Sequence, residues 1–475
     1  MRRPGQISLV YLLLFIAAIG AFFLIRFFGE HSAHLVVAPI TVSQEHTTPH
    51  SALSQVLLAL VTIIVAARVL GMAFQWIGQP RVIGEVVAGI ALGPSLLGRI
   101  SPGAMEFLLP ATVMPTLGGF AQLGVILYMF LVGLELNSGL LRSRAQATVA
   151  ISHASIVAPF LLGALIALAA YSRYAPGGVT FTSFALFMGI AMAITAFPVL
   201  ARILTDLGME RTELGVVALS CAAADDVTAW CLLAFVVGVT QAEVTGALTT
   251  LLLAVGYLVL MFGFVRPRIA RWLGSSGGRR LSKELTAWVL IAVLGSALAT
   301  EAIGIHAIFG AFLLGAIIPH DSDLAQTFRH KLEDVVSILL LPTFFAVTGA
   351  RVQINLLSEP IDWLFCGIII LIATAGKFGG AMVAARFTGF DWRTSAALGV
   401  LMNTRGLMEL IVLNVGLDLG VISAPLFAMM VVMALVTTIG TTPILRMLVP
   451  TTRQDSERLS TKSAQSTHED TVRST

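Results

Sequence analysis

The stretch Ser220-Cys221-Ala222-Ala223-Ala224-Asp225-Asp226-Val227-Thr228-Ala229-Trp230 sets two aspartates side by side in an apolar run, Gly215 to Gln241, that holds no other charge. A run of that length and apolarity is a candidate transmembrane helix, and each carboxylate near its centre costs roughly 2.5–3.5 kcal/mol to insert. Adjacent residues diverge by about 100° around a helix, so one aspartate can face a water-filled cavity while the other meets a partner helix. A carboxylate inside a membrane that faces water can hold a proton or a small cation. A stray carboxylate capping a neighbouring helix explains one aspartate poorly and two worse.

The whole chain has the same character. Of its 475 residues 57% are hydrophobic and 12% charged, and the mean hydropathy is +0.91. No soluble domain of that size keeps so much apolar surface from water, so the chain reads as a polytopic membrane protein. The net charge of +3 gives no reason to expect a nucleic-acid partner. Cys221, Cys231 and Cys366 all lie in apolar stretches, which speaks against a disulfide framework or a cysteine metal site.

Hydropathy divides the chain into three parts. Residues 1–50 hold an apolar segment, Ile7 to Phe28, and a polar extracytoplasmic loop with His31, His34, His46 and His50. That segment is longer than the usual 7–15-residue core of a signal peptide and shows no convincing cleavage site, so an uncleaved helix is expected; the histidine loop lacks ligand spacing and reads as a solvated linker. Residues 51–450 carry about thirteen further segments, near 52–76, 81–100, 111–135, 145–171, 178–204, 212–238, 244–265, 284–301, 303–319, 334–350, 361–386, 393–417 and 424–447. Residues 451–475 are Ser-, Thr- and charge-rich and read as a disordered cytoplasmic tail. An inside start puts Arg142, Arg144, Arg202, Arg211, Arg266, Arg268, Arg271, Arg279, Arg280, Lys283, Arg329 and Lys331 on or near the cytoplasmic side, as the positive-inside rule requires. No GxGxxG motif or βαβ pattern follows the last segment, so no nucleotide-binding regulatory domain is expected.

Three further features lie at membrane depth. Lys377 is the only charge between Leu364 and Ala385. An ammonium there needs an anionic partner, for which Asp225 or Asp226 is the candidate; snorkelling to the interface is disfavoured so far from a helix end. Ala193-Ile194-Thr195-Ala196-Phe197-Pro198 places a proline in mid-segment, which breaks or kinks a helix and leaves Thr195 and loose backbone able to coordinate an ion. A plain structural kink accounts for Pro198 nearly as well. Met402-Asn403-Thr404-Arg405-Gly406-Leu407-Met408-Glu409 is a second interruption, in which Arg405 and Glu409, four residues apart, can neutralise each other or the dipole ends of two half-helices. Asn403, Arg405, Glu409 and Pro198 are therefore read as structural compensation at broken helices.

The order of the pieces is itself a signal. A trio of segments 145–171, 178–204 and 212–238, broken in its middle member, returns as 361–386, 393–417 and 424–447 with the opposite starting side. That is the pattern of an inverted-repeat transporter whose site lies where two discontinuous helices cross.

With these residues assembled, the chain resembles the monovalent cation/proton antiporter family, in the branch that holds bacterial sodium/proton and potassium/proton exchangers and the plant cation/proton exchangers. The matching stretches are Gln79 to Glu85, Leu92 to Ser95, Phe130 to Glu135, Thr195 to Pro198, Ala224 to Val227, Gly376-Lys377 and Met402 to Gly406. The resemblance implies an all-α polytopic membrane protein and a homodimer in the lipid bilayer of a bacterial inner membrane, not an enzyme and without a cofactor or resident metal. It implies that Asp226 binds the transported H⁺ and Na⁺ or K⁺, that Asp225 and Lys377 form an ion pair opened by the cation, and that Thr195 stands beside the site. It leaves the cation divided, because the paired aspartates resemble sodium exchangers and Met402 to Asn414 resembles plant exchangers that favour potassium. Two rivals remain: a passive cation channel, for which the sequence has no selectivity-filter motif, and an organic-anion symporter of similar fold, for which two aspartates and a lysine suit a cation better.

Overall fold

Hydrocarbon offers no partner to a backbone N–H or C=O, so a chain that crosses it must satisfy each within its own segment, which for a single strand of polypeptide means helix. In the computed structural model the described residues are 49–135, 145–209, 212–241, 244–275, 283–304, 306–319 and 322–449, with Gly20, Ala21 and Leu24 isolated before them, and among these no strand occurs. The expected first segment, apart from those three residues, the histidine loop up to Thr48 and the tail from 450 lie outside the described residues.

The helices used below are α1 (Pro49–Trp76), α2 (Arg81–Leu92), α3 (Met114–Glu135), α4 (Ala145–Tyr174), α5 (Phe181–Ala193), α6 (Phe197–Asp206), α7 (Glu213–Gln241), α8 (Val244–Leu260), α9 (Lys283–Ile303), α10 (Ala307–Ile317), α11 (Asp323–Val335), α12 (Leu341–Arg351), α13 (Pro360–Phe387), α14 (Trp392–Met402), α15 (Leu407–Asp418) and α16 (Ala424–Leu448). Ten helical stretches among the described residues are long and apolar enough to cross a membrane, or eleven when α14 and α15, bent by 43° at their junction, count as one span. These eleven coincide with eleven of the thirteen expected segments. The other two, 178–204 and 303–319, are occupied by shorter apolar helices, α5 with 13 residues and α10 with 11. At 1.5 Å per residue either covers about half of a ~30 Å hydrocarbon core. α5 is continued by α6 after a break; α10 is set off from α9 by Gly304, at φ +91°, and by His306, whose ring accepts the Ile308 N–H.

One boundary differs markedly. The segment expected from residue 334 is entered by a helix that starts at Asp323, capped by the Ser322 hydroxyl on the Ala325 N–H. α11 holds Asp323, Arg329, His330, Lys331, Glu333 and Asp334, and a hydropathy window rejects those charges although they line one side of an amphipathic helix whose other side buries Leu324, Ala325 and Phe328.

Packing sorts the helices into two sets. In one, α4 lies along α13, α5 packs on α4, α14 on α13 and α16, and α7 against α4, α5, α6 and α14. In the other, α2 packs on α1 and α12, α3 on α10 and α12, and α9 on α10. On α1, Leu53, Leu57, Val61, Val65 and Val69 form an exposed apolar stripe at a four-residue repeat. α3 and α10 meet backbone to backbone at Gly133 and Gly315, where a Cβ on Gly315 would strike the Phe130 carbonyl oxygen and lie 3.0 Å from Gly133 Cα. Small residues at such crossings let helices approach closely in lipid. Gly315→Ala is expected to cost about 1–3 kcal/mol through this collision, read as a lower melting midpoint in detergent. Gly295→Ala, in a helix position with open space around it, should leave the midpoint unchanged or raise it.

Candidate functional site

Both broken helices end their first halves inside the protein. α5 stops at Ala193, residues 194–196 run extended, and α6 starts with Pro198 in its first two positions, where the missing N–H costs nothing. Pro198 thus opens a helix rather than kinking one. α14 stops at Met402, and α15 resumes at Leu407. The two interruptions touch: the Ala196 N–H donates to the Thr404 carbonyl at 2.9 Å, and the Thr195 hydroxyl reaches the Met402 carbonyl at 3.1 Å.

Charges gather on these loose ends. A helix C-terminus presents unpaired carbonyls and a partial negative charge. The Arg405 guanidinium donates to the Ala191 carbonyl at 3.1 Å and the Met192 carbonyl at 2.7 Å, and the Lys377 ammonium donates to the Ala193 carbonyl. Two cations therefore close the C-terminal end of α5. Arg405 also pairs with Glu409 at 3.0 Å, with both side chains fully buried. Glu409 lies in the first turn of α15, where a negative charge complements the helix dipole. Thr438 of α16 holds the Arg405 backbone at both ends, accepting its N–H at 3.0 Å and donating to its carbonyl at 2.8 Å.

The aspartates of α7 face this junction from the third side, and they are treated differently. Asp225 is fully buried and surrounded by donors. Its Oδ1 accepts from the Ser152 hydroxyl at 2.6 Å. Its Oδ2 is approached by Ser155 Oγ at 2.9 Å, Thr195 Oγ1 at 2.7 Å and Lys377 Nζ at 3.0 Å. Asp226 is 1% exposed, and its Oδ1 has no hydrogen-bond partner. Other buried oxygens near the breaks in sequence also lack partners, namely Asn403 Oδ1, Thr404 Oγ1 and Glu409 Oε1. Buried polar atoms in native proteins are almost always satisfied, so the partnerless oxygen of Asp226, beside a fully bonded Asp225, is the feature of this region that asks for a ligand.

Thr195 and Lys377 are thus bonded directly to Asp225 and Arg405 to Glu409; the two groups meet on the last carbonyls of α5, and Asp226 follows Asp225 on α7. Of the two candidates for the Lys377 counter-ion the structure selects Asp225. Sequence reasoning missed Ser152 and Ser155 of α4. Their signal was present, since Ser152-His153-Ala154-Ser155 is a polar island in an apolar segment, but serine is too common in membrane helices to single out.

A cavity of about 750 Å³ opens between α3, α10, α12 and α15, and Gln122, His306, Thr348, Arg351, Asn414 and Asp418 give it a polar lining. Arg351 crosses it from α12 to bond Asp418 at 2.7 Å and Asn414 at 3.1 Å on α15. It therefore reaches the outer turns of the same half-helix whose first turn holds Glu409.

Comparison with known proteins follows the same lines. Residues 56–449 match the family described as sodium/hydrogen exchanger, transmembrane. The Na(+)/H(+) antiporter NhaS4 of Synechocystis sp. is 46% identical over 398 residues, covering 83% of this chain and 97% of that protein. Cation/H(+) antiporter 20 of Arabidopsis thaliana is 37% identical and K(+)/H(+) antiporter 1 of Saccharomyces cerevisiae 33% identical, and in each case the match spans 49% of the relative. The chain corresponds to about half of those two proteins. Among solved structures, the sodium proton antiporter MjNhaP1 of Methanocaldococcus jannaschii superposes with a TM-score of 0.60 at 15% identity, over 84% of this chain and 98% of that one; this is a likeness of fold.

Proposed function

The chain belongs to the sodium/hydrogen exchanger family, and on that premise we propose that it is a secondary antiporter in which a monovalent cation, Na⁺ or K⁺, and a proton compete for Asp226. The observation that carries the reading is the contrast between the two aspartates: Asp225 already has an ammonium and hydroxyls on its oxygens, whereas Asp226, equally buried, keeps an oxygen without a partner. A lone carboxylate in a dry interior is stable with a proton on it or a cation beside it, and the two exclude each other. If the loaded site then opens to either side of the membrane in turn, exchange follows without a further gate.

In this scheme Thr195, at the break between α5 and α6, stands at the site, and the Asp225–Lys377 pair opens when the cation arrives. Arg405 and Glu409 hold the breaks together, with Asn403 in the second of them. The two trios act as inverted repeats. Basic residues near the ends of α8, α9 and α11 favour the cytoplasm for that end of the bundle, with the C-terminal end of α16 on the same side. A homodimer is expected. The relatives include both a sodium and a potassium exchanger by name, so the cation is left to experiment.

The test is proton flux in proteoliposomes with a trapped pH dye, Na⁺, Li⁺ and K⁺ being added in turn. Alkalinisation of an acid-loaded lumen by one cation supports antiport and identifies that cation. Flux of cation without proton movement would point to the channel, and dependence on an added organic anion to the symporter. Lys377→Ala is expected to remove a mobile charge from the cycle, so that the exchange rate loses its dependence on an imposed membrane potential; an unchanged voltage dependence would count against the ion-pair role.

A further inference from the structure

Ser152 and Ser155 lie three residues apart on one face of α4, both fully buried, and their hydroxyls reach the carboxylate that does not need them to be neutral. Asp225 already has Lys377. The hydroxyls do not serve it equally. Ser152 donates to Oδ1, where it is the one donor found. Ser155 Oγ stands 2.9 Å from Asp225 Oδ2 and 2.8 Å from the Ser152 carbonyl, and a hydroxyl has a single proton to give. Thr195 is placed likewise, between Asp225 Oδ2 at 2.7 Å and the Met402 carbonyl at 3.1 Å. Oδ2 is thus crowded while Lys377 is bound, and Ser155 can spend its proton on the Ser152 carbonyl. Once the ammonium withdraws, rotation about one bond brings that proton to Oδ2.

We propose that Ser152 and Ser155 are positioning residues for the cation site: Ser152 fixes Asp225 through Oδ1, and Ser155 supplies Oδ2 with a donor when Lys377 leaves, so that the cation can displace Lys377 without leaving a bare buried carboxylate. This rests on the exchange reading given above. A hydrogen bond to a charged group is worth enough that Ser155→Ala should weaken apparent Na⁺ or K⁺ affinity by about 10-fold to 100-fold, with the maximal exchange rate kept to within about twofold. Ser155→Thr retains the hydroxyl and should bind the cation as the unaltered protein does. In a Lys377→Ala background there is no pair to open, and Ser155→Ala should then leave cation affinity nearly unchanged.

The measurement is cation affinity of purified protein in detergent, from the rise of the melting midpoint with added NaCl or KCl, alongside KM and maximal rate in proteoliposomes. Equal loss of affinity with and without Lys377, loss of maximal rate at unchanged affinity, or no recovery with threonine would each overturn the proposal and leave the serines a packing role. Ser152→Ala serves as a second variant and should lower affinity by the same route. If the unaltered protein is stabilised by Na⁺ or K⁺ but moves no protons, the exchange reading fails while the affinity comparison still decides the role of the serines. If neither cation stabilises it and none drives proton flux, both are overturned.

Discussion

Asp226→Asn is expected to reduce cation-coupled proton movement to the level of protein-free vesicles while leaving the protein folded. The substitution keeps the shape of the side chain and removes its capacity to bind a proton or to neutralise a cation. It breaks no hydrogen bond at Oδ1, since none is made there, and it leaves no unpaired charge behind, so stability should be equal or higher. The checks are proton flux in proteoliposomes together with the melting midpoint and elution profile of the detergent-purified variant. A folded variant that still exchanges would remove Asp226 from the site. Asp225→Asn is the instructive comparison, because it leaves Lys377 without its anion in the same dry interior.

The second large effect concerns stability. Arg405→Met should destabilise the protein by about 3–5 kcal/mol, the usual result of deleting one partner of a buried ion pair. Glu409 would be left as a buried anion, and the Ala191 and Met192 carbonyls at the end of α5 would lose their donors. The expected reading is poor recovery as a monodisperse peak and a melting midpoint well below that of the unaltered protein. Adding Glu409→Gln removes the stranded charge and should recover part of the loss, but not the part due to the open carbonyls. Full recovery would mean that the cap on α5 contributes nothing, and no effect of Arg405→Met would mean that the pair is not a structural element.

Much of this arrangement could be read from the sequence because of the membrane setting. A charge in an apolar run is so costly that Asp225, Asp226, Lys377, Arg405 and Glu409 announce themselves, and each proves to be buried with a partner or beside one. Helix breaks announce themselves similarly through Pro198 and through the Asn403 to Gly406 run. Hydrophobicity is a poorer guide where charge is compatible with helix: the segment expected from 334 leaves out nearly all of α11, because the polar face of that helix looks like a loop. It was also a poor guide to span length, since the apolar content of 303–319 says nothing about where Gly304 and His306 interrupt it. The partners of Asp225 on α4 could not be singled out for a different reason. A serine carries no cost in a membrane helix, so only the three-dimensional neighbour shows that Ser152 and Ser155 are turned inward.

The bonds at the two interruptions also have a mechanical meaning. Ala196 is tied to Thr404, Thr195 to Met402, and the Arg405 guanidinium to the last carbonyls of α5. A force applied to α15, for instance through Arg351 and the Asp418 bond at its far end, cannot slide that half-helix past α5 without breaking several buried bonds at once. The broken helices are accordingly riveted to each other, and in the exchange proposed above any movement would fall elsewhere, such as where the set built on α4 and α13 borders the set built on α3 and α12. If the exchange proposed above proceeds by displacement along that seam, the two interruptions would travel together with the aspartates and the lysine, while the pairing of Lys377 with Asp225 changes as the cation binds.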